Sequence, residues 1–245
     1  MDYARLLAHG VGSWLQFEQA CGHSGLFSEK YLAQPIGHIL SGRSGNRALA
    51  EYTHPVLVSA VSGPGRRPAI DFVVCNPYPK VEIGVESKWI GKTQPDVESI
   101  VWDLIRLELL VHHEGARCFF VLGGKRGDLE ELFANETFKR GSTNRQPRPF
   151  LRHETNTLHT VSLGPIDRVR IPLLGSTFEK YPQLNFPSRV VTRRSAPFPE
   201  GQIKNGYQIY VWEVRSVANR TTFLGGAMKH YFPKRSSPQV VTKKP

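Results

Sequence analysis

Cysteine is scarce in this chain, and its spacing excludes several readings at once. Cys21, Cys75 and Cys118 are the only three, with no Cys-x-x-Cys pair among them. An odd count without a secretory signal argues against a disulfide framework and for a reducing, cytoplasmic setting. No apolar run approaches membrane-spanning length. The opening stretch MDYARLLAHGVGSWLQFEQ has an acid at position two and no signal-type apolar core, so no membrane partner is expected. Gly123-Gly124 lacks the Walker pattern of a phosphate loop, and no Ser-His-Asp or Gly-x-Ser-x-Gly arrangement is present. The histidines lack metal-ligand spacing. His112 and His113 would point about 100° apart on a helix, and the dipole at a helix C-terminus explains them better.

Acidic side chains are also in deficit. Against 32 Lys and Arg stand 21 Asp and Glu, a net charge of +11, which favours a polyanionic partner. The surplus concentrates in segments that read as loops. Lys125, Arg126, Lys139, Arg140, Arg145, Arg148 and Arg152 lie within 125–153, Arg189, Arg193 and Arg194 within 189–194, and Lys234, Arg235, Lys243 and Lys244 in the tail. Such charges can hold phosphates without reading sequence. Lys125, Arg126, Arg145, Arg148, Arg193 and Arg194 are the candidate nucleic-acid contacts.

With 245 residues, 40% of them apolar, the chain suits one α/β domain with extensions. The expected division is a core over 1–138, a strand- and loop-rich extension packed on it over 139–233, and a basic disordered tail over 234–245. Residues 2–20 predict an amphipathic helix. Ser28 caps a second over 29–40 that Pro35 should kink or shorten. SGRSGNR (41–47) reads as a loop, and HPVLVSAV (54–61) as the first core strand. A well-marked helix follows residue 93, with Thr93 as cap, Pro95 in the first turn and Gly115 as its stop. Its apolar residues wrap most of the circumference. One stripe stays polar, Asp96, Ser99, Asp103 and Arg106, read either as a solvated edge with a local Asp103–Arg106 pair or as the flank of a site. Strand 116–122, a helix over 127–138 and a basic, proline-containing linker over 139–153 come next. Residues 158–174 mix strand-like pieces with turns, 175–206 read as loop-rich, and YQIYVWEV (207–214) is the clearest late strand.

The chemistry concentrates between Asp71 and Lys88. AIDFVVC and VEIGVESKWI read as two antiparallel strands separated by Asn76, Pro77, Tyr78 and Pro79. Period-two alternation puts Glu86 and Lys88 on one face. A hairpin centred on the Tyr78–Pro79 bond sets Asp71 across from Glu86, with Cβ atoms about 5 Å apart. Asp71 is the only charge in its run, and a carboxylate in an apolar strand calls for a partner or a metal. Two carboxylates can hold a hard cation such as magnesium. A neighbouring lysine can orient a water or steady phosphoryl charge.

Ala69-Ile70-Asp71 followed by Glu86-Ser87-Lys88 resembles the PD-(D/E)XK, or restriction endonuclease-like, nuclease superfamily, without the Pro of that name. The resemblance covers about residues 25–125 and includes the helix and apolar strand after the second motif. It implies a restriction endonuclease-like fold, a mixed central sheet flanked by helices. It also implies magnesium- or manganese-dependent hydrolysis of nucleic-acid phosphodiesters, DNA ahead of RNA, in a defence, restriction or repair setting. Asp71 and Glu86 would ligate the metal with the Ser87 carbonyl, and Lys88 would position or help deprotonate the water. An acidic residue on a preceding helix corresponds to Glu29, with Glu18 and Glu51 as rivals. Members that have lost activity set two alternatives: a non-catalytic nucleic-acid-binding module, or a subunit of a larger complex with Trp14, Phe17 and the tail as docking surfaces. A homodimer or a partner protein is compatible with each.

Overall fold

Strands that are apolar on both faces must be covered on both faces, and that requirement shapes this protein. The computed structural model describes residues 2–60, 67–91, 97–139, 149–153, 157–163, 167, 169–201 and 206–233. In chain order its elements are α1 (Tyr3–Ala20), α2 (Glu29–Ser44), β1 (Ala48–Thr53), β2 (Ala69–Cys75), β3 (Val81–Ile90), α3 (Val97–Glu114), β4 (Arg117–Lys125), α4 (Arg126–Ala134), α5 (Glu136–Lys139), β5 (Leu158–Ser162), α6 (Gly175–Lys180), β6 (Asn185–Pro187), β7 (Arg189–Arg194), β8 (Tyr207–Arg215) and β9 (Thr222–Leu224). Seven strands form one sheet in the order β1-β2-β3-β4-β8-β7-β5, and β6 pairs with β9 apart from it. The protein is thus a mixed α/β fold with a mostly antiparallel central sheet. β3 and β4 run parallel, and the chain crosses between them through α3. Because β8 pairs with β4, the sheet continues past residue 138 into the C-terminal half. No helix among the described residues is long and apolar enough to cross a membrane.

The two sheet faces carry separate apolar layers. On one, Leu7 and Val11 of α1 and Leu32 and Ile36 of α2 pack with Val85, Phe119, Val121 and Val211. On the other, Ile100, Leu104, Leu107 and Leu110 of α3 pack with Val73, Cys118, Phe120 and Trp212. Gly84 lets α3 close onto β3, since a Cβ there would meet Leu110 Cδ2 at 2.6 Å and Cys118 Sγ at 3.2 Å.

The hairpin register follows the Tyr78–Pro79 centre. Phe72 faces Val85, Val73 faces Gly84 and Val74 faces Ile83, before a bulge at Val74/Cys75 shifts the pairing to Cys75 with Val81. Carried one step beyond Phe72, this register sets Asp71 across from Glu86.

Several expectations need correction. The first strand is β1, over Ala48–Thr53, and not 54–61. His54 ends it: its buried Nδ1 accepts from the Val56 and Leu57 backbone N–H groups at 3.2 Å each and bends the chain into a 3₁₀ turn. Residues 41–44 belong to α2, which runs unbroken to Gly45 with Pro35 buried inside it. The helix expected over 127–138 is two, with Asn135 between α4 and α5. The loop-rich stretch 175–206 supplies α6, β6 and β7. In the expected linker, Phe150 and Leu151 are core residues. The capping roles of Thr93 and Pro95 and the state of the tail lie outside the described residues. Ser28 caps α2 through Tyr31 N–H, and Gly115 leaves α3 at a φ of 68°.

Gly84→Val should destabilise by about 1–3 kcal/mol through overpacking. Gly42→Ala, in a helix with open space around the new methyl, should stabilise by about 0.5–1 kcal/mol; urea midpoints at constant slope check both. Burial of His54 lowers its pKa to about 4 from an ordinary 6.5. Since the unfolded chain takes up the proton first, stability should fall as pH drops from about 6.5 to about 4, by on the order of 3 kcal/mol. Denaturant melts across that window should show a flatter profile for His54→Gln than for wild type.

Candidate active site

Glu29, Asp71, Glu86 and Lys88 come together where β2, β3 and the start of α2 meet. The β2–β3 ladder stops at Phe72. From there Asp71 reaches β3 by its side chain: Oδ2 accepts from the Ser87 backbone N–H at 2.8 Å and from Ser87 Oγ at 2.9 Å. Glu86, the next residue back on β3, is completely buried. Lys88 Nζ donates to Glu29 Oε1 at 3.2 Å and stands 3.1 Å from Asp103 Oδ2.

An aromatic group fixes the start of α2. The Phe27 ring lies 5.8 Å from Trp89 and 4.7 Å from Tyr207, both edge-on. Trp89 directly follows Lys88, so this packing brings Glu29 beside the lysine. Neither rival of Glu29 pairs with Lys88. Glu18 accepts from Tyr31 Oη and pairs with His23, each at 2.7 Å. Glu51 sits across from Asp71, in a break of the β1–β2 ladder between the Ala50–Phe72 and Tyr52–Ile70 pairs, with a φ of 51°, and is exposed.

The polar stripe on α3 closes the site, and the solvated-edge reading of Asp103 and Arg106 is overturned. Asp103 is buried. Arg106 Nη2 lies 2.6 Å from Asp103 Oδ1 and 2.9 Å from Glu86 Oε2, while its Nη1 donates to the Ala69 carbonyl at 2.6 Å. His54 Nε2 bonds the Arg106 carbonyl at 3.0 Å. Ser99 lies on the same helix, and Asp96 falls outside the described residues. A polar line on an otherwise apolar helix was the signal for Asp103 and Arg106.

Desolvation pushes the Glu86 pKa well above the usual carboxylate range, with Arg106 pulling the other way. Burial also raises that of Glu29, against the pull of Lys88. Burial opposes the charge on Lys88, yet Asp103 and Glu29 outweigh it and hold its pKa above that of an ordinary lysine. Arg106 is likewise held charged by Glu86 and Asp103 against desolvation. Lys88 is therefore a fixed cation, suited to orienting and stabilising charge, and a poor proton acceptor.

Four carboxylates (Glu29, Asp71, Glu86, Asp103) face two cations (Lys88, Arg106). Counted as ionised they leave a formal excess of two negative charges, which the raised pKa values of Glu86 and Glu29 reduce. Neither Glu86 oxygen receives a directed hydrogen bond, although Oε2 is within ion-pair distance of Arg106. The buried oxygens without a hydrogen bond would suit a cation, and Arg106 already answers one of them. Among the described residues, no group of three or more His, Cys, Asp and Glu side chains is arranged to hold a metal. A magnesium ion here would therefore keep waters and use few carboxylates, as that ion commonly does.

Of the candidate phosphate contacts, Lys125 is exposed at the end of β4, three residues beyond the Leu122 that pairs with Lys88. Arg126 Nε bonds Glu130 Oε1 at 2.7 Å. Arg193 and Arg194 end β7, the first exposed and the second buried. Arg145 and Arg148 fall outside the described residues.

Comparison with protein-family models, curated proteins and solved structures found no match.

Arg106→Ala should strand the Glu86 carboxylate and cost about 3–5 kcal/mol of stability. Adding Glu86→Gln should recover much of that loss, and a double-mutant cycle from denaturant unfolding measures the coupling.

Proposed function

We propose that this protein is a metal-dependent nuclease of the PD-(D/E)XK type, acting on nucleic-acid phosphodiesters, with DNA the first substrate to test. The observation that carries this reading is the convergence of Glu29, Asp71, Glu86 and Lys88 from three separate elements onto one end of the hairpin. The order of elements supports it: a helix bearing an acid, three antiparallel strands, then a helix leading to a strand parallel to the third. That order is the one expected of the restriction endonuclease-like arrangement that the motif implies.

Asp71 and Glu86, with the Ser87 carbonyl, would hold magnesium or manganese. When bound, such an ion supplies charge neutralisation at the phosphate and a water acidic enough to act near neutral pH. Lys88, kept cationic by Asp103 and Glu29, would orient a water and steady charge developing on the phosphoryl oxygens. Ser87 holds Asp71 in place through two hydrogen bonds. Asp103 and Arg106 position Lys88 and Glu86 from α3. Lys125, Arg126, Arg193 and Arg194 supply basic groups for the strand.

A second reading is a nucleic-acid-binding module without turnover. It is favoured by Arg106 standing against Glu86, which lets the ion pairs hold the fold with no metal. Calorimetric titration with manganese separates the two, since the module should take up none.

Incubation of plasmid and single-stranded DNA with the protein and magnesium should give cleavage. Asp71→Ala and Lys88→Ala should each slow it by on the order of 10²-fold or more. Equal cleavage by wild type and both variants would sink the nuclease reading.

A further inference from the structure

Arginine collects at a second place, away from the carboxylates. A cavity of about 640 Å³ is lined by Arg5, Arg117, Arg193, Arg194 and Arg215. It is walled by the start of α1, the start of β4, the end of β7 and the strand β8. A second cavity of about 520 Å³ shares Arg194, Ala196 and Glu200 with it and reaches Arg126 at the start of α4. None of Glu29, Asp71, Glu86 or Lys88 lines either one.

Charge in the larger cavity is out of balance. Three acids, Asp2, Glu200 and Glu213, share its walls with the five arginines. Glu213 is engaged twice, by Arg117 at 3.3 Å and by Arg215 at 2.9 Å. Asp2 Oδ1 accepts from the Arg5 backbone N–H at 3.1 Å and so caps α1. Neither the Arg5 nor the Arg193 guanidinium forms an ion pair among the described residues. Arg194 is 7% exposed, with its guanidinium 6.0 Å from the centre of the Tyr210 ring. That places one fork at the junction of the two cavities. Arginines turned toward one concave space repel each other, and the repulsion grows where walls exclude water. An anion relieves it. Guanidinium forks match phosphate oxygens two at a time, which a chloride ion cannot exploit.

We propose that this cavity is a phosphate-binding site separate from the candidate active site. Its ligand is a phosphate ester, either the backbone of a nucleic-acid strand or a free nucleotide. The strand version rests on the nucleic-acid reading above; the nucleotide version does not. Arg5, Arg193 and Arg194 contact phosphate directly, and Glu213 holds Arg117 and Arg215 in line along β4 and β8.

The test uses the full chain in EDTA at low salt, where binding is read without cleavage. The probes are a fluorescent single-stranded oligonucleotide, followed by anisotropy, and ATP, followed by calorimetry. Wild type should bind at least one of them. Arg5→Ala/Arg193→Ala, altered at two exposed positions, should weaken that binding tenfold or more while keeping the wild-type circular dichroism and melting temperature. Arg193→Glu should weaken it further. Oligonucleotide binding without ATP binding assigns the site to a strand, and ATP binding assigns it to a nucleotide. Wild type binding neither probe, or the double variant binding as tightly as wild type, overturns the proposal. A protein that binds but never cleaves would refute the nuclease reading and leave this one standing.

Discussion

A carboxylate with no solvent contact is held between the sheet and α3 at Glu86, and its neighbours are arranged around keeping it there. Taking a charge out of water costs several kcal/mol unless an opposite charge or a proton compensates. Arg106 supplies the charge, but its guanidinium must itself be held, and Asp103 and the Ala69 carbonyl do so. Asp103 in turn approaches Lys88, and Lys88 draws in Glu29 from the opposite side of the sheet. One buried group thus ties α2, β2, β3 and α3 into a single electrostatic unit. Gly84 contributes by letting α3 approach closely enough for Arg106 to reach.

Much of this was legible in the sequence because it depends on local rules. Period-two alternation put Glu86 and Lys88 together, and the turn residues at 76–79 fixed the register that sets Asp71 opposite. What escaped depends on long-range packing. The strand expected at 54–61 has the right composition, but His54 uses its ring to hold its own backbone in a turn. The loop expected at 41–47 has the right residues for a loop, yet Leu40 and Ser44 are buried and the helix carries through. β7 was hidden because RVVTRR alternates poorly and earns its place only by pairing with β8 and β5. The α3 stripe was visible, but its meaning required knowing which face of the helix meets the hairpin.

Charge in this protein is sorted by location. Carboxylates outnumber cations at the hairpin end, while arginines outnumber carboxylates where α1 meets β7 and β8. The total of +11 conceals both. A polyanion approaching such a surface meets attraction on the arginine side and repulsion at the carboxylates unless a cation is present there. Under the proposed nuclease reading, two oppositely biased surfaces on one sheet would admit phosphate only when metal accompanies it.

The tether between Asp71 and Ser87 has a consequence of its own. Where backbone pairing ends at Phe72, the spacing of β2 and β3 is set by one side chain and not by the ladder. The mouth of this fork is therefore encoded separately from the rest of the sheet. Asparagine at position 71 would retain an acceptor for the Ser87 N–H while surrendering the negative charge. Shape and charge at this point can change independently, so a lineage could silence the chemistry while leaving the scaffold closed, or widen the fork while keeping its acids. That separability is a physical route by which one architecture could serve both a cutting and a merely gripping protein.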